Sequence, residues 1–344
     1  MKDITPKQSI KNRIEWLDSA RGFAICMIVL AHITQYFPEA KDLNSFICGF
    51  HVSIFFVLSG CMAFVQREKR EDFLRFVCKK AKTLLVPYAI FSTINFGLKA
   101  IVFFIQDKYT STVFQKELVE LFITGNGTVW FLTTLFLVEI IYQILKKYMK
   151  ESSYVYTVFV VIFGSLPFLL NTYISPVLSV MKRVSMALAF YYVGYLLMRI
   201  ISRTSISKGY ELVTAIVLLI GGHFVWKNYG SQISYYEAIF SGGIASIATN
   251  MLLAIGFVLL FKGLPVIRFM SYLGRNSLIV MLIHPLLLMC YVYPIGFPGD
   301  TISYMQQRKY ILVAFIILTV LQIPFIELIN RYFPWMIGKE KKHD

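Results

Sequence analysis

Four of the five histidines fall inside long apolar runs; His223 lies nearer the end of its run, which leaves His32, His51 and His284 as the candidates for chemistry. Ionisable groups are costly in such places and concentrate where there is function. An imidazole titrates near neutral pH, so two at one depth can serve as base and partner when a hydroxyl loses its proton. His32 follows Arg21 by eleven residues. On a helix that spacing is three turns plus about 20°, so both side chains share a face, about 16 Å apart. Asp18, one turn before Arg21, can pair with it and suits a helix N-terminus, where a cation is disfavoured. Arg21 therefore owes its place to something other than helix stability, with positive-inside anchoring as the plain alternative. His51 opens the next apolar run after the short connection 38–45, so it should lie at the depth of His32. His284 precedes Pro285, which frees a backbone carbonyl and can kink a helix, so this pair reads as structural or as functional. Glu139 sits in the middle of another run and has to be protonated or paired. For each histidine the bland alternative is a ring satisfied by a neighbouring helix or by the interface.

These residues need a frame, and composition sets it. The chain is 57% hydrophobic, 16% aromatic and only 15% charged, and its mean hydropathy is +0.64. No water-soluble core absorbs that much apolar sequence, so lipid is the solvent. Runs long enough to span a bilayer fall near 22–37, 46–65, 83–105, 128–146, 153–173, 179–200, 209–227, 237–261, 272–292 and 309–331. The expectation is an all-α polytopic membrane protein of about ten helices. It forms a single domain over 1–344: a cytoplasmic segment 1–21, a bundle 22–331 and a cytoplasmic tail 332–344. The basic opening followed by an apolar run is not expected to be a cleaved signal, because the next span follows at once. Counting Lys and Arg in alternate connections gives 25 on one side and 8 on the other, with Lys99 inside a span. That asymmetry predicts both termini in the cytoplasm.

The formal charge of +15 is read as topology against an anionic leaflet, not as nucleic-acid binding. The most basic connection, Gln66 to Lys82, holds Arg67, Lys69, Arg70, Arg75, Lys79, Lys80 and Lys82. It is either an anchor or an anion site for nucleotide-like phosphates. Residues 112–122 suggest an amphipathic outer helix. Trp130, Phe131, Tyr235 and Tyr236 fit an aromatic belt. His223 and Lys99 read as interfacial or snorkelling. Asn126-Gly127-Thr128 matches a common glycosylation triplet. The five cysteines form no CxxC pair and read as small apolar fillers. There is no phosphate-binding loop, no GxSxG, no HExxH and no metal-ligand cluster, and no metal is expected.

In order along the chain stand Trp16-Leu17-Asp18-Ser19-Ala20-Arg21-Gly22 with His32, and Phe50-His51-Val52-Ser53 running to Leu58-Ser59-Gly60. Trp130-Phe131-Leu132 follows, then Leu273-Gly274-Arg275-Asn276-Ser277 leading to His284-Pro285. Together they resemble the acyltransferase 3 family of membrane acyltransferases over essentially the whole chain. The resemblance implies ten helices with cytoplasmic ends, acetyl-CoA as acyl donor, and an exported or lipid-linked sugar as acceptor in the bacterial cytoplasmic membrane. It places the family's arginine and histidine on Arg21 and His32. Where the family often has Arg-x-x-Arg, this chain has Lys79-Lys80-Ala81-Lys82 before Leu84-Leu85-Val86-Pro87, which keeps charge but not the planar guanidinium. With Asp344 as its last residue and no SGNH domain, it resembles the standalone, fucose 4-O-acetylase-like branch.

The expected mechanism has donor phosphates at Lys79, Lys80 and Lys82 with Arg21. His32 serves as general base or as acyl carrier, Asp18 orients Arg21, and His51 assists His32 or binds the acceptor. Trp130, Glu139, Asn276, Ser277 and His284 are further candidates for holding the acceptor. Glycan-assembly proteins are possible partners; the oligomeric state is open. A transporter or flippase of a glycan precursor is the rival reading, weakened by the lack of paired inverted repeats. A non-catalytic scaffold is the third.

Overall fold

A computed structural model describes residues 14–67, 71–105, 110–124, 129–149, 154–170, 175–204, 206–230, 233–240, 242–295 and 304–340. The segment 1–13, Lys69, Arg70 and the triplet Asn126–Thr128 lie outside the described residues, as does the side chain of Cys290.

Among the described residues the ten apolar runs fall mainly on helices, with those at 46–65 and 272–292 each divided between two. In chain order the helices are α1 (Glu15–Thr34), α2 (Lys41–Cys48), α3 (Ser53–Val65), α4 (Phe73–Lys80), α5 (Val86–Ile105), α6 (Ser111–Val119) and α7 (Trp130–Tyr148). There follow α8 (Tyr154–Leu169), α9 (Pro176–Arg203), α10 (Lys208–Tyr229), α11 (Gly243–Gly263), α12 (Arg268–Arg275), α13 (Ser277–Ile295) and α14 (Tyr304–Tyr332). By length and composition seven described stretches can cross a membrane, or eight when the bent pair α12–α13 counts as one. α8 is apolar but only 16 residues long. α7 carries Glu139, Lys146 and Lys147 along its apolar length. The chain is thus an all-α, multi-pass membrane protein.

Several boundaries differ from the expected ones, each for a local reason. The run at 46–65 breaks into α2 and α3 around Gly49. α9 starts at Pro176, capped by Ser175, whose Oγ accepts from the Leu178 amide at 3.2 Å. Proline suits a first helical turn because its missing N–H would be unsatisfied there anyway. This longer helix carries Lys182 and Arg183 as buried residues, although both counted as loop cations in the topology sum. The run at 237–261 begins only at Gly243. Before it an antiparallel hairpin pairs Ile233 with Phe240 and Ser234 with Ile239, and Tyr235 and Tyr236 lie in its turn. The stretch 112–122 becomes α6 followed by a π-helical turn, Glu120–Thr124.

α1 is central: 72% of its apolar window is buried, against 17% for α10. On α10 the exposed residues Val213, Ile216, Val217, Ile220 and Phe224 recur at helical spacing. With no water to compete for them, such faces suit lipid. Two crossings bring backbones into contact through glycine. A Cβ on Gly60 would meet the Tyr191 carbonyl oxygen at 1.8 Å, and one on Gly194 would meet that of Val57 at 1.9 Å, so α3 and α9 touch main chain to main chain. α1 and α12 do the same through Gly22, against the Met270 carbonyl, and Gly274, against the Asp18 carbonyl. α12 then turns by 82° into α13.

Both described ends of the chain gather at one end of the bundle. Asn330 on α14 donates to Asn276 Oδ1 at 2.9 Å, and Lys339 donates to Asn330 Oδ1 at 3.0 Å. Glu340 pairs with Lys82 at 2.8 Å. This is the basic end, where Asp18 also packs.

Candidate active site

A cavity of about 680 Å³ opens at the other end of α1. His32 and His51 both line it, as the depth argument requires. On α1 its lining runs from Ile28 to Gln35, and α2 adds Lys41, Asn44 and Cys48. Trp130, the first residue of α7, and the hairpin residues Tyr235 and Tyr236 close the opposite wall. The two rings of Trp130 and Tyr235 stack at 6.2 Å with 13° between planes. Trp130, Phe131, Tyr235 and Tyr236 are therefore cavity wall and not a lipid-facing belt. The mixture of an apolar wall with a few convergent polar groups is the usual character of a small-molecule site.

The imidazoles differ in what holds them. His51 Nδ1 lies 3.0 Å from the Ile47 carbonyl. A carbonyl only accepts, so that nitrogen carries the proton and Nε2 keeps its lone pair. His32 meets the side chain of Gln35, one turn on and also in the cavity wall. His284 is 1% exposed and stands behind His32, with ring centroids 5.2 Å apart. It is not part of the lining; Met281 and Pro285 are. The expected direct role of His284 in holding substrate does not match this placement.

A chain of hydrogen bonds fixes the hairpin wall. Asn250 Nδ2 donates to the Ser246 carbonyl at 2.9 Å, which leaves Asn250 Oδ1 to accept from Ser53 Oγ at 2.6 Å. With its own proton spent, Ser53 Oγ accepts from the Tyr235 hydroxyl at 3.2 Å. Burial holds the Tyr235 phenol above its usual pKa, and the Ser53 hydrogen bond works weakly the other way. Tyr236 is pushed up to about 12, first by burial and then by the carboxylates of Glu120 and Glu117. Both phenols are neutral donors at working pH. Arg183 donates from Nη2 to the Tyr236 carbonyl at 2.8 Å and lies 5.4 Å from the Trp130 ring, so it braces the same wall. Lys99 does not snorkel: it lines the cavity and pairs with Glu117 at 2.9 Å and Glu120 at 3.5 Å.

The other candidates lie at the basic end. Arg21 is half-buried and acts electrostatically on Cys61 of α3, so it faces the bundle interior. The cavity lining on α1 stops at Ile28, seven residues short of Arg21, or about 10 Å along the axis. Asp18 is buried against Gly274. Lys79 pairs with Glu71 at 3.2 Å and Lys82 with Glu340 at 2.8 Å, both as exposed pairs. Lys80 pairs with Glu139 at 2.6 Å, and Glu139 is nearly buried. Glu139 is thus the counter-ion of Lys80, nine residues along α7 from Trp130, and not an acceptor ligand in the cavity. Asn276 and Ser277 form the α12–α13 joint, with Asn276 Nδ2 donating to the Tyr272 carbonyl at 3.0 Å. They hold the bend and do not line the cavity.

Gln35, Asn44, Ser53, Lys99, Tyr235, Asn250 and Arg183 went unassigned or were misread in the sequence. Of these, Lys99 and Arg183, as cations inside apolar runs, carried a visible signal, and Tyr235 was visible only as an aromatic. His223 packs between Phe46 and Trp226. Cys26 and Cys61 are buried fillers, Cys48 is partly exposed, and Cys78 is exposed and fills nothing.

Comparison with known proteins adds the family. Residues 14–325 match the family described as an acyltransferase domain, acyltransferase 3. The nodulation protein NolL of Mesorhizobium japonicum is 24% identical over 296 residues, covering 79% of this chain and 76% of the relative. No solved structure matches. The histidine-lined cavity thus lies within the matched region, and the chain belongs to the acyltransferase 3 family as a multi-pass membrane O-acyltransferase.

Proposed function

We propose that the protein transfers an acetyl or similarly short acyl group from acetyl-CoA to a hydroxyl of a cell-envelope sugar, exported or lipid-linked, in the bacterial cytoplasmic membrane. The observation that carries this reading is the cavity itself. It brings His32 and His51 together opposite the Trp130–Tyr235 stack, at the far end of the helix that holds Arg21. The charge asymmetry sets the basic end in the cytoplasm.

The flat aromatic faces suit the C–H face of a sugar ring. Lys41, Asn44, Gln35 and the phenols supply polar partners around it. His32 takes the proton of the acceptor hydroxyl as its oxygen attacks the thioester carbonyl carbon. The C–O bond forms, the C–S bond breaks, and the proton passes from the ring to the departing thiolate. The His51 Nε2 lone pair orients the acceptor from α2–α3. At the cytoplasmic end Lys79, Lys80 and Lys82 meet the donor phosphates by exchanging carboxylate partners for phosphate oxygens. Arg21 guides the donor arm inward past Cys61.

The test is transfer from radiolabelled acetyl-CoA to envelope glycan in membranes holding the protein, with O-acetyl released by mild alkali. His32→Ala is expected to abolish transfer; intact transfer would remove His32 from the reaction. Arg21→Ala is expected to raise the donor KM; an unchanged value removes it from the donor path.

A further inference from the structure

His284 is assigned no part in the transfer proposed above, yet its ring lies against that of His32 and outside the cavity lining. We infer that His284 is a positioning residue: its buried Nε2 receives an N–H from His32 and so turns the other His32 nitrogen toward the acceptor hydroxyl. This rests on His32 being the base.

The tautomer of His284 follows from its partners. Nδ1 stands 2.9 Å from the Val280 carbonyl, one turn earlier. A carbonyl cannot donate, so Nδ1 carries the proton. A second proton would make a cation among Val280, Met281, Leu282 and Ile283, all buried, where an unpaired charge is costly. Nε2 is therefore a lone-pair acceptor. It is inaccessible and has no hydrogen-bond partner among the described residues. A buried acceptor left unmade is unfavourable, so such a group is normally there for a reason.

Among the described residues, the ring of His32 stands against it. Centroids 5.2 Å apart with 38° between planes are close to what a single N–H···N bond of about 2.9 Å between ring edges requires. A small rotation of His32 closes it. Gln35, which meets His32 from the cavity wall, stands where an acceptor hydroxyl would arrive. When the acceptor displaces the Gln35 amide, His284 holds the opposite edge of the ring. During transfer His284 neither gains nor loses a proton. The acceptor proton goes to the cavity-side nitrogen of His32 and on to the thiolate, and the N–H···N bond strengthens while His32 is cationic. Pro285 contributes by having no N–H, so α13 can adjust at this point without breaking a helical bond of its own.

Two substitutions separate the acceptor from the Val280 bond. His284→Gln carries an amide to the Nε2 position and keeps an acceptor. His284→Asn carries one to the Nδ1 position, keeps the bond to Val280 and loses the acceptor. In membranes with radiolabelled acetyl-CoA and the cell's own envelope glycan, the Gln variant is expected within about 10-fold of wild-type kcat. The Asn variant is expected to fall on the order of 100-fold, the low end of what a general base supplies. Donor KM should hold in both, with protein abundance matched by detergent-solubilised gel filtration. Equal losses in the two variants, or Asn outperforming Gln, would overturn the inference and leave His284 a packing residue. His32→Ala in the same assay is the separate control: transfer without His32 sinks the parent reading whatever happens at position 284.

Discussion

Gly274 offers a test in which the structure sets the size of the disturbance. A methyl group at that position would lie 1.8 Å from the Asp18 carbonyl oxygen, 2.8 Å from its carbon and 2.8 Å from the Gly22 amide nitrogen. All three atoms are backbone, so no side-chain rotation relieves the clash. A carbon–oxygen contact settles near 3.3 Å, so Gly274→Ala has to force α12 and α1 apart by about 1.5 Å at the crossing. α1 carries Arg21 and His32, and α12 leads through the 82° bend into the helix of His284. A misplacement of about 1 Å in a reacting geometry is enough for on the order of 100-fold in rate. Overpacking of a tight contact costs about 1–3 kcal/mol in stability. Gly274→Ala is therefore expected to lower transfer at least about 100-fold and to lower the melting temperature in detergent. Gly97→Ala is the matched control, since nothing lies within 4 Å of its added methyl. There the exchange should be neutral or stabilising by up to about 1 kcal/mol through helix propensity. Wild-type transfer and melting in Gly274→Ala would refute the idea that a main-chain crossing sets the α1 register.

Tyr235→Phe keeps the ring on Trp130 and deletes the hydroxyl bonded to Ser53. Losing one net hydrogen bond of about 1 kcal/mol is expected to lower the melting temperature in detergent, and an unchanged melting temperature would show that this bond does not fix the hairpin wall. Glu139→Gln leaves Lys80 half-paired at a nearly buried site, so thermal stability should drop by about 1–3 kcal/mol. Lys80→Met combined with Glu139→Leu should restore stability yet keep a raised donor KM; full recovery of both would make the pair purely structural. Tyr236 has its folded pKa raised from 10.0 to about 12, so the neutral phenol adds stability that is complete below pH 10 and is lost as pH climbs toward 12. Tyr236→Phe should show a shallower fall in melting temperature over that window, and superimposable pH curves would contradict it.

The histidine pair was legible because it needed only helix periodicity and a short connection: His32 near the end of one run and His51 at the start of the next have to share a depth. The motif around Gly274 was legible as a pattern but not as physics, since its reason is a carbonyl more than 250 residues earlier in the chain. The same holds for Ser53, whose partners lie 182 and 197 residues away. Glu139 was rightly read as needing a partner, but nothing local named Lys80, which reaches it from a connection on another element. Arg183 falls inside the run at 179–200 yet enters the topology count as a loop cation, and only its bond to the Tyr236 carbonyl, 53 residues away, reveals a brace for the cavity wall.

These placements divide the labour between the two ends of the bundle. At the basic end every expected donor lysine already has a carboxylate, so a bound phosphate has to win Lys80 from Glu139, and Glu139 sits on the helix whose first residue is Trp130. At the cavity end the polar groups point inward from α1, α2, α7 and the hairpin, while the α1 lining stops about 10 Å short of Arg21. An acyl donor reaching from one end to the other has to open that gap along α1. The side chains bordering it on α1, Ala24 and Ile25, are fully buried. In the proposed transfer the donor path depends on the packing of α1 against its neighbours, so the main-chain crossings at Gly22–Gly274 and Gly60–Gly194 are expected to bear on catalysis as well as on the fold.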